Sequence, residues 1–171
     1  MERKDLTEIF SEVNRRNPFA ALNHIRVEHV EPDLAETSLH IASDSLNPHA
    51  LVHGGALFTL MDCAAGTAAS TDGRIWVTQS ADVHFLRAAA AGVVRAEAHI
   101  RHRGRSTALA EVCARSEEEK LLSSASFTLF CVSGSSIERN SPVAADARSL
   151  RESDGTCLAA RREGPEKACA E

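Results

Sequence analysis

The sequence predicts an α+β domain in which a long antiparallel sheet wraps around one hydrophobic helix. Residues 55–70 carry apolar side chains on every side of a helical wheel, as expected of a helix that other structure covers. Many of these side chains are small, so a neighbouring backbone can approach closely. Six further segments, separated by turn signals, have the length and the alternation of strands: 22–31, 34–42, 74–87, 92–102, 107–116 and 121–133.

The elements follow in order along the chain. Residues 4–14 place apolar side chains at helical spacing, and Asn17-Pro18 ends this first helix. The first two strand segments flank the turn signal Glu31-Pro32-Asp33 and predict a hairpin. The last four strand segments follow one another with short turns between them, which predicts an antiparallel meander.

The chain is expected to form one domain followed by a tail. Residues 1–137 form the domain, whose N-terminal helical segment lies within residues 1–18. Residues 138–171 have little apolar periodicity, two prolines and many charges, which predicts a flexible C-terminal tail.

Composition excludes several classes of function. The net charge of −5, with six Phe, one Trp and no Tyr, argues against a nucleic-acid partner, which needs basic surface and stacking platforms. No stretch approaches the roughly 18 apolar residues that would span a membrane, and the charged first ten residues lack the apolar core of a signal peptide. The five cysteines are odd in number without a Cys-x-x-Cys pair, which predicts reduced thiols, no zinc site and a cytoplasmic location.

One carboxylate stands out in the apolar helix. Asp62 is the only charged residue between His53 and Asp72, and a charge in such a place is costly unless it is paired or has a chemical role. The alternative is an Asp on a solvated stripe of the helix beside Thr59.

Two glycines stand where this helix begins. The first backbone N–H groups of a helix lack an intrahelical partner, and Gly54 and Gly55 have no Cβ to keep another molecule's carbonyl away. The helix dipole favours negative charge on that oxygen, an oxyanion-hole arrangement, although a glycine pair that only turns the chain is the alternative. Eight residues of helix separate Gly54 from Asp62 by about 12 Å. If the two act together, two antiparallel helices across a two-fold axis would form a site shared between subunits.

The motif resembles that of a known enzyme family. Asn47-x5-His53-Gly54-Gly55-x6-Asp62, followed by Ser80, is similar to the hotdog-fold acyl-CoA thioesterases of the PaaI type. The resemblance covers roughly residues 20–133 and includes Phe85-Leu86-Arg87 and Gly104-Arg105. The chain departs from the family pattern at Ala50, where the family usually has Gly, and at Ala88, where it often has Pro.

The resemblance implies a role for each residue. Asn47 and the Gly54 N–H would bind the thioester carbonyl, Asp62 of the partner subunit would be the general base or nucleophile, and Ser80 would hold the water. His53 would order the substrate loop beside Gly55. Contacts to the CoA phosphates could come from three arginines: Arg87, Arg103 or Arg105. Of these, Arg87 and Arg105 are the expected substrate-binding residues.

The resemblance also implies an assembly and a substrate. The strand that carries Ser80 would pair with its symmetry mate in a homodimer, which would assemble into a homotetramer. The partner molecule is acyl-CoA, without a metal or another cofactor. Phe58, Leu60 and Met61 permit either an aryl or a medium-chain acyl group.

Other functions fit the sequence less well. His49 and His53, with Asp62, would suit a metal hydrolase, but Pro48 and the glycines make their segment a loop. No Gly-x-Ser-x-Gly elbow of a serine hydrolase is present, and hotdog dehydratases pair a His with a helix Glu, where this helix has Asp. The main alternative is a non-catalytic acyl-CoA-binding hotdog protein.

Overall fold

The computed structural model describes residues 5–133, so the tail predicted at 138–171 lies outside the described residues. The predicted α+β architecture, a sheet around a central helix, is confirmed. The elements are α1 (Leu6–Arg15), α2 (Pro18–Leu22), β1 (Ile25–Glu31), β2 (Leu34–His40), a 3-10 turn (Ser43–Ser45), α3 (Gly54–Ser70), β3 (Trp76–Phe85), β4 (Val93–Arg103), β5 (Thr107–Ser116) and β6 (Leu121–Cys131).

The N-terminal segment contains one helix more than predicted. Helix α1 ends just before Asn17-Pro18, as expected, but the same pair then begins α2. The Asn17 side chain accepts hydrogen bonds from the backbone N–H groups of Phe19 and Ala20, both at 3.2 Å. Proline suits the first position of a helix because its missing N–H has no partner there in any case. The first strand consequently begins at Ile25 instead of residue 22.

All six strands form one antiparallel sheet in the order β1-β2-β4-β5-β6-β3. The predicted β1–β2 hairpin is confirmed. The predicted meander is wrong at its first strand, since β3 pairs with β6 at the far edge of the sheet and β4 pairs with β2. Helix α3 carries the chain across the sheet before β3 begins, and turn signals mark where strands end without saying which strands pair.

Helix α3 lies on a sheet face that is lined largely by alanine. The buried residues of α3 include Ala56, Ala64, Ala65, Ala68 and Ala69. Opposite them, alternate residues of β2, β4 and β5 are also buried alanines: Ala35, Ala96, Ala98, Ala108, Ala110 and Ala114. Small side chains on both surfaces let the helix approach the sheet closely.

A buried hydrogen bond fixes the position of α3 on the sheet. The hydroxyl of Thr37 on β2 donates to the Leu60 carbonyl at 3.1 Å, and Thr37 has no exposed surface. The bond joins the middle of the helix to the middle of a strand, so it sets the height of α3 along the sheet.

One side of α3 remains open in the single chain. Phe58 is exposed, Thr59, Asp62 and Cys63 are half-buried, and a Cβ at Gly66 would meet nothing within 4 Å. The expectation that other structure covers the helix on all sides is therefore wrong for one copy of the chain.

Arg103 closes the C-terminal end of α3. Its guanidinium donates to the carbonyls of Ala68 and Ala69, at 3.2 and 2.5 Å, and to the carboxylates of Asp33 and Asp72. The last carbonyls of a helix have no intrahelical donor, and a cation there also interacts favourably with the helix dipole. Arg103 thus has a structural role at this end of the helix.

Two further expectations concern cysteines and membranes. Cys63 and Cys131 are free thiols, whereas Cys113 is disulfide-bonded, so the expectation of reduced thiols is wrong at Cys113. Between residues 5 and 133, no helix is long and apolar enough to cross a membrane.

The Arg103 contacts generate a stability prediction. Arg103→Ala should lower the free energy of unfolding by about 3 kcal/mol, because it leaves helix carbonyls and carboxylates without their largely buried cation. The matched control is Arg101→Ala on the same strand, which breaks a more exposed ion pair with Glu111. That loss should stay below about 1 kcal/mol. Urea unfolding of both variants measures the difference, and equal losses would contradict the role of Arg103.

Candidate active site

The first turn of α3 leaves one backbone donor open. The Nδ1 atom of His53 accepts a hydrogen bond from the Gly55 N–H at 2.8 Å, and the His53 carbonyl accepts from Ala56 and Leu57. Among residues 5–133, no acceptor bonds the N–H of Gly54. This N–H therefore stands at the positive end of the helix dipole as a donor for another molecule. His53 caps the helix, an arrangement in keeping with the predicted ordering role.

Asn47 organises the loop before the helix. Its side-chain oxygen accepts hydrogen bonds from the backbone of His49 at 2.9 Å and of Leu51 at 3.3 Å. Its backbone N–H donates to the Leu51 carbonyl at 2.8 Å, and a β-bridge between Leu46 and Val52 closes the loop. With its oxygen used in this way, the side-chain NH₂ of Asn47 is the group that remains to meet a carbonyl.

Ala50 has a backbone conformation that favours glycine. Its φ is +57°, in the left-handed region that a Cβ disfavours. This is the position where the PaaI-type pattern usually has glycine. Ala50 thus adopts the conformation that a glycine would adopt without a steric penalty.

Asp62 has a partner that the sequence did not reveal. The hydroxyl of Thr78 on β3 donates to the Asp62 carboxylate at 2.5 Å. Asp62 is half-buried on the open stripe of α3, next to Thr59. The carboxylate is thus both partly solvated and held by one hydroxyl. The only sequence signal for Thr78 is its place on the Ser80 strand, two residues earlier.

Ser80 lies on the same strand beyond an irregularity. Thr78 is opposite Leu129 and Ser80 is opposite Thr128, so β3 has one extra residue between them. Ser80 is exposed at the edge of the sheet. Within the described chain, the hydroxyl that bonds Asp62 is that of Thr78, and the role of Ser80 stays a prediction.

A groove of about 610 Å³ runs beside Asp62. It brings together three of the predicted site residues, Asp62, His53 and Gly55, whereas Gly54, Asn47, Ser80, Arg87 and Arg105 do not line it. The remaining lining residues come from α2 and its two flanking residues, the 3-10 turn and α3: Asn17, Phe19, Asn23, Asp44, Ala56, Phe58, Thr59 and Cys63. Its walls are partly aromatic and partly polar, with Phe19 and Phe58 as the large apolar surfaces.

The thiol next to Asp62 is chemically inert. Burial, with a smaller contribution from the Asp62 charge, raises the pKa of Cys63 to about 12. Because the nucleophile of cysteine chemistry is the thiolate, Cys63 is protonated and unreactive at neutral pH. Cys63 therefore offers no thiolate nucleophile to the groove at neutral pH.

The two arginines expected to contact the CoA phosphates, Arg87 and Arg105, lie near opposite ends of α3. Arg87 donates to the Leu121 carbonyl at 2.9 Å and follows Phe85, which lies against Gly54. Arg105 is exposed on the turn after β4, beside Arg103 at the other end of the helix. Along one helix these ends are about 22 Å apart, so one chain does not bring both to one ligand.

The residues considered for a metal do not converge in the described chain. His53 and Asp62 line the groove, whereas His49 does not and sits in the exposed loop. Between residues 5 and 133, no three His, Cys, Asp or Glu side chains are grouped so that they could hold a metal ion.

Comparison with known proteins identifies the family. A model of the thioesterase superfamily matches residues 49–123. The solved structure of a conserved protein from Pseudomonas aeruginosa is 31% identical, with a TM-score of 0.64, over 66% of this chain and 92% of that chain. The chain belongs to the thioesterase superfamily.

Two further relatives of this thioesterase are named for their chemistry. The acyl-coenzyme A thioesterase PaaI of Escherichia coli (strain K12) is 29% identical over 92 residues, which are 53% of this chain and 66% of that enzyme. The chain thus spans just under two thirds of the curated relative. A hypothetical thioesterase from Streptococcus pneumoniae, solved with coenzyme A, is 26% identical with a TM-score of 0.63, over 68% of this chain and 94% of that chain. The predicted PaaI-type hotdog thioesterase is confirmed at the level of family and fold.

The environment of Cys63 generates a prediction of reactivity. At pH 8 its pKa of about 12 leaves the thiol protonated, and the thiolate fraction grows as the pH rises toward that value. Iodoacetamide should therefore label Cys63 in the folded protein at least about 100-fold more slowly than in urea, and faster with each step toward pH 10. Peptide mass spectrometry measures the label, with Cys131 in the same digest as the internal comparison. Rapid labelling of folded Cys63 at pH 8 would contradict the burial argument.

Proposed function

We propose that this thioesterase hydrolyses acyl-CoA thioesters to a free acid and CoA in the cytoplasm, at a site that two copies of the chain share. The observation that carries the proposal is the placement of a free N–H at Gly54 and a carboxylate at Asp62 on one continuous helix. The eight residues between them correspond to about 12 Å, too far for one carbonyl to meet both groups of the same chain.

The N-terminal end of α3, where the Gly54 N–H lies, would bind the thioester carbonyl. The N–H of Gly54 and the side-chain NH₂ of Asn47 would donate to the carbonyl oxygen, on which negative charge grows as the tetrahedral intermediate forms. Because both donors are held by the backbone of one loop and one helix turn, they need little rearrangement when that charge develops.

The Asp62 carboxylate, in the middle of α3, would supply the base. Asp62 of the second copy would take a proton from water while the water oxygen attacks the carbonyl carbon, and collapse of the intermediate breaks the C–S bond and releases CoA as a thiol after protonation. Direct attack by Asp62, through an acyl-enzyme anhydride that water then opens, is the other course. Thr78 would orient the carboxylate, and Ser80 would hold the water.

The assembly that joins the two ends is a homodimer. Support comes from two surfaces left open in one chain: the edge strand β3 and the open stripe of α3. An exposed strand edge invites pairing with another strand, and a two-fold axis there would bring the α3 helices together antiparallel. The groove beside Asp62 would then receive the acyl group, and Arg87 of one copy and Arg105 of the other would approach the same CoA. Two such dimers would form a homotetramer.

The first prediction concerns the reaction itself. The purified chain should hydrolyse acyl-CoA thioesters from a panel of aliphatic and aryl acyl groups, and EDTA should leave the rate unchanged. Release of free CoA thiol, followed with a disulfide chromophore, measures the rate. Tight acyl-CoA binding without turnover would favour the non-catalytic binding protein, and loss of activity in EDTA with recovery in Zn²⁺ would favour a metal hydrolase.

A second prediction is that substitution of Asp62 lowers kcat more than substitution of Thr78, whose hydroxyl bonds it. Asp62→Asn should lower kcat by at least about 100-fold with little change in substrate binding, because the carbonyl donors remain. Thr78→Val should lower kcat by about tenfold, and the control Thr78→Ser, which keeps the hydroxyl, should stay near wild type. Single-turnover kinetics separates kcat from binding. Near-normal turnover of Asp62→Asn would make Asp62 a structural residue.

A third prediction tests the shared site. Asn47→Ala and Asp62→Ala should each be nearly inactive alone, whereas a mixed dimer has one site that keeps native Asn47 and native Asp62. Random exchange makes about half of the dimers mixed, so about a quarter of the sites should recover. The readout is thioesterase activity after the two variants are unfolded and refolded together, beside each variant treated alone. No recovery, with mixed dimers proven by mass spectrometry, would place both residues in one subunit's site.

A further inference from the structure

We propose that Phe85 is a positioning residue whose ring covers the carbonyl-binding end of α3 and keeps water away from the Gly54 N–H. The inference rests on the proposed function, because it concerns the carbonyl site at Gly54. It gives a role to Phe85, which belongs to the Phe85-Leu86-Arg87 segment of the sequence motif and has no part in the proposed chemistry.

The contact between the ring and Gly54 is direct. A Cβ placed on Gly54 would lie 3.4 to 3.6 Å from three ring atoms of Phe85: Cζ, Cε1 and Cε2. The Cα–Cβ direction in a helix tilts toward the N-terminus, which is also the direction in which the N–H groups point. The ring therefore packs beside the N–H that no described residue accepts. A side chain larger than hydrogen at residue 54 would press against this ring.

Several backbone bonds hold the ring at this place. Phe85 is the last residue of β3 and lies opposite Ser123, whose hydroxyl donates to the His84 carbonyl at 2.8 Å. Beyond it, the N–H groups of Leu86 and Arg87 both donate to the Leu122 carbonyl, at 2.8 and 3.0 Å.

Arg87 adds a side-chain bond to this anchor. Its guanidinium donates to the Leu121 carbonyl, the next one along β6. Arg87 thus fixes the end of β3 from which the ring projects, in addition to any contact with CoA.

The chemical consequence is a drier carbonyl site. Phe85 keeps 54% of its surface exposed in the single chain, which is unusual for an aromatic ring in so well-anchored a segment. Where the ring covers the helix end, water cannot hydrate the developing oxyanion. A hydrogen bond from Gly54 then acts in a medium of lower dielectric constant, where it stabilises charge more strongly.

The test compares three variants of the 171-residue chain. Phe85→Ala removes the ring, Phe85→Tyr keeps it, and Phe130→Ala is the matched control, an exposed phenylalanine on β6 that lies opposite Val77 at the other end of β3. Phe85→Ala should lower kcat by about tenfold and change KM by less than about threefold, a smaller effect than loss of an oxyanion donor. The other two variants should stay within about twofold of wild type.

A spectroscopic readout separates positioning from a general loss of structure. The probe is a ketone analogue of acyl-CoA in which CH₂ replaces sulfur, labelled with ¹³C at the carbonyl. Binding to the wild type should lower its infrared carbonyl stretching frequency, because the donors polarise the bond. The shift should shrink in Phe85→Ala and persist in Phe85→Tyr and Phe130→Ala.

The outcomes distinguish a failure of the proposed thioesterase function from a failure of the proposed role of Phe85. A wild type that binds the analogue but hydrolyses no thioester would overturn the proposed function, while the carbonyl shift would still test Phe85. An unchanged shift in Phe85→Ala, or a loss of kcat equal to that of Phe130→Ala, would overturn the role of Phe85.

Discussion

The close packing of α3 on the alanine-lined sheet is the constraint on which the rest of the molecule depends. Large side chains on either surface would push the helix away, and the bond between Thr37 and the Leu60 carbonyl would be lost with the buried contact. The position of this one helix sets the height of Gly54 at one end and of Asp62 in the middle. The site geometry is therefore a property of the core and not of flexible loops, which is how precise catalytic constellations are usually held.

The two ends of α3 are treated in opposite ways. At the C-terminal end, the Arg103 guanidinium saturates the carbonyls and adds a full positive charge. At the N-terminal end, His53 satisfies some donors and leaves Gly54 unpaired. A helix stabilised at one terminus tolerates an unsatisfied group at the other, so stability and chemistry are divided between its ends. Beside Asp62, burial raises the pKa of the Cys63 thiol to about 12, so at neutral pH this thiol adds no negative charge to the groove.

Local patterns predicted the parts of this structure that local chemistry determines. Helix α3 was predicted over 55–70 and spans Gly54–Ser70, and the β1–β2 hairpin followed from the turn signal Glu31-Pro32-Asp33. The partner of β3 could not be predicted, because it depends on where α3 delivers the chain after crossing the sheet. Thr78 was missed because an extra residue before Ser80 interrupts the strand period, and no sequence pattern reveals such a bulge. The capping role of Arg103 joins residues 34 and 35 positions apart and is equally invisible in the sequence.

Ala50 has a consequence for how such loops change over evolution. The side-chain oxygen of Asn47 and the bridge between Leu46 and Val52 hold the loop so firmly that an L-residue keeps a φ of +57° there. The expected cost is about 1–2 kcal/mol, small enough for a stable core to absorb. The hydrogen bonds of the loop, and not a glycine, therefore hold its shape in this chain. A consensus pattern that demands glycine at this position would overlook chains whose loop has the same form.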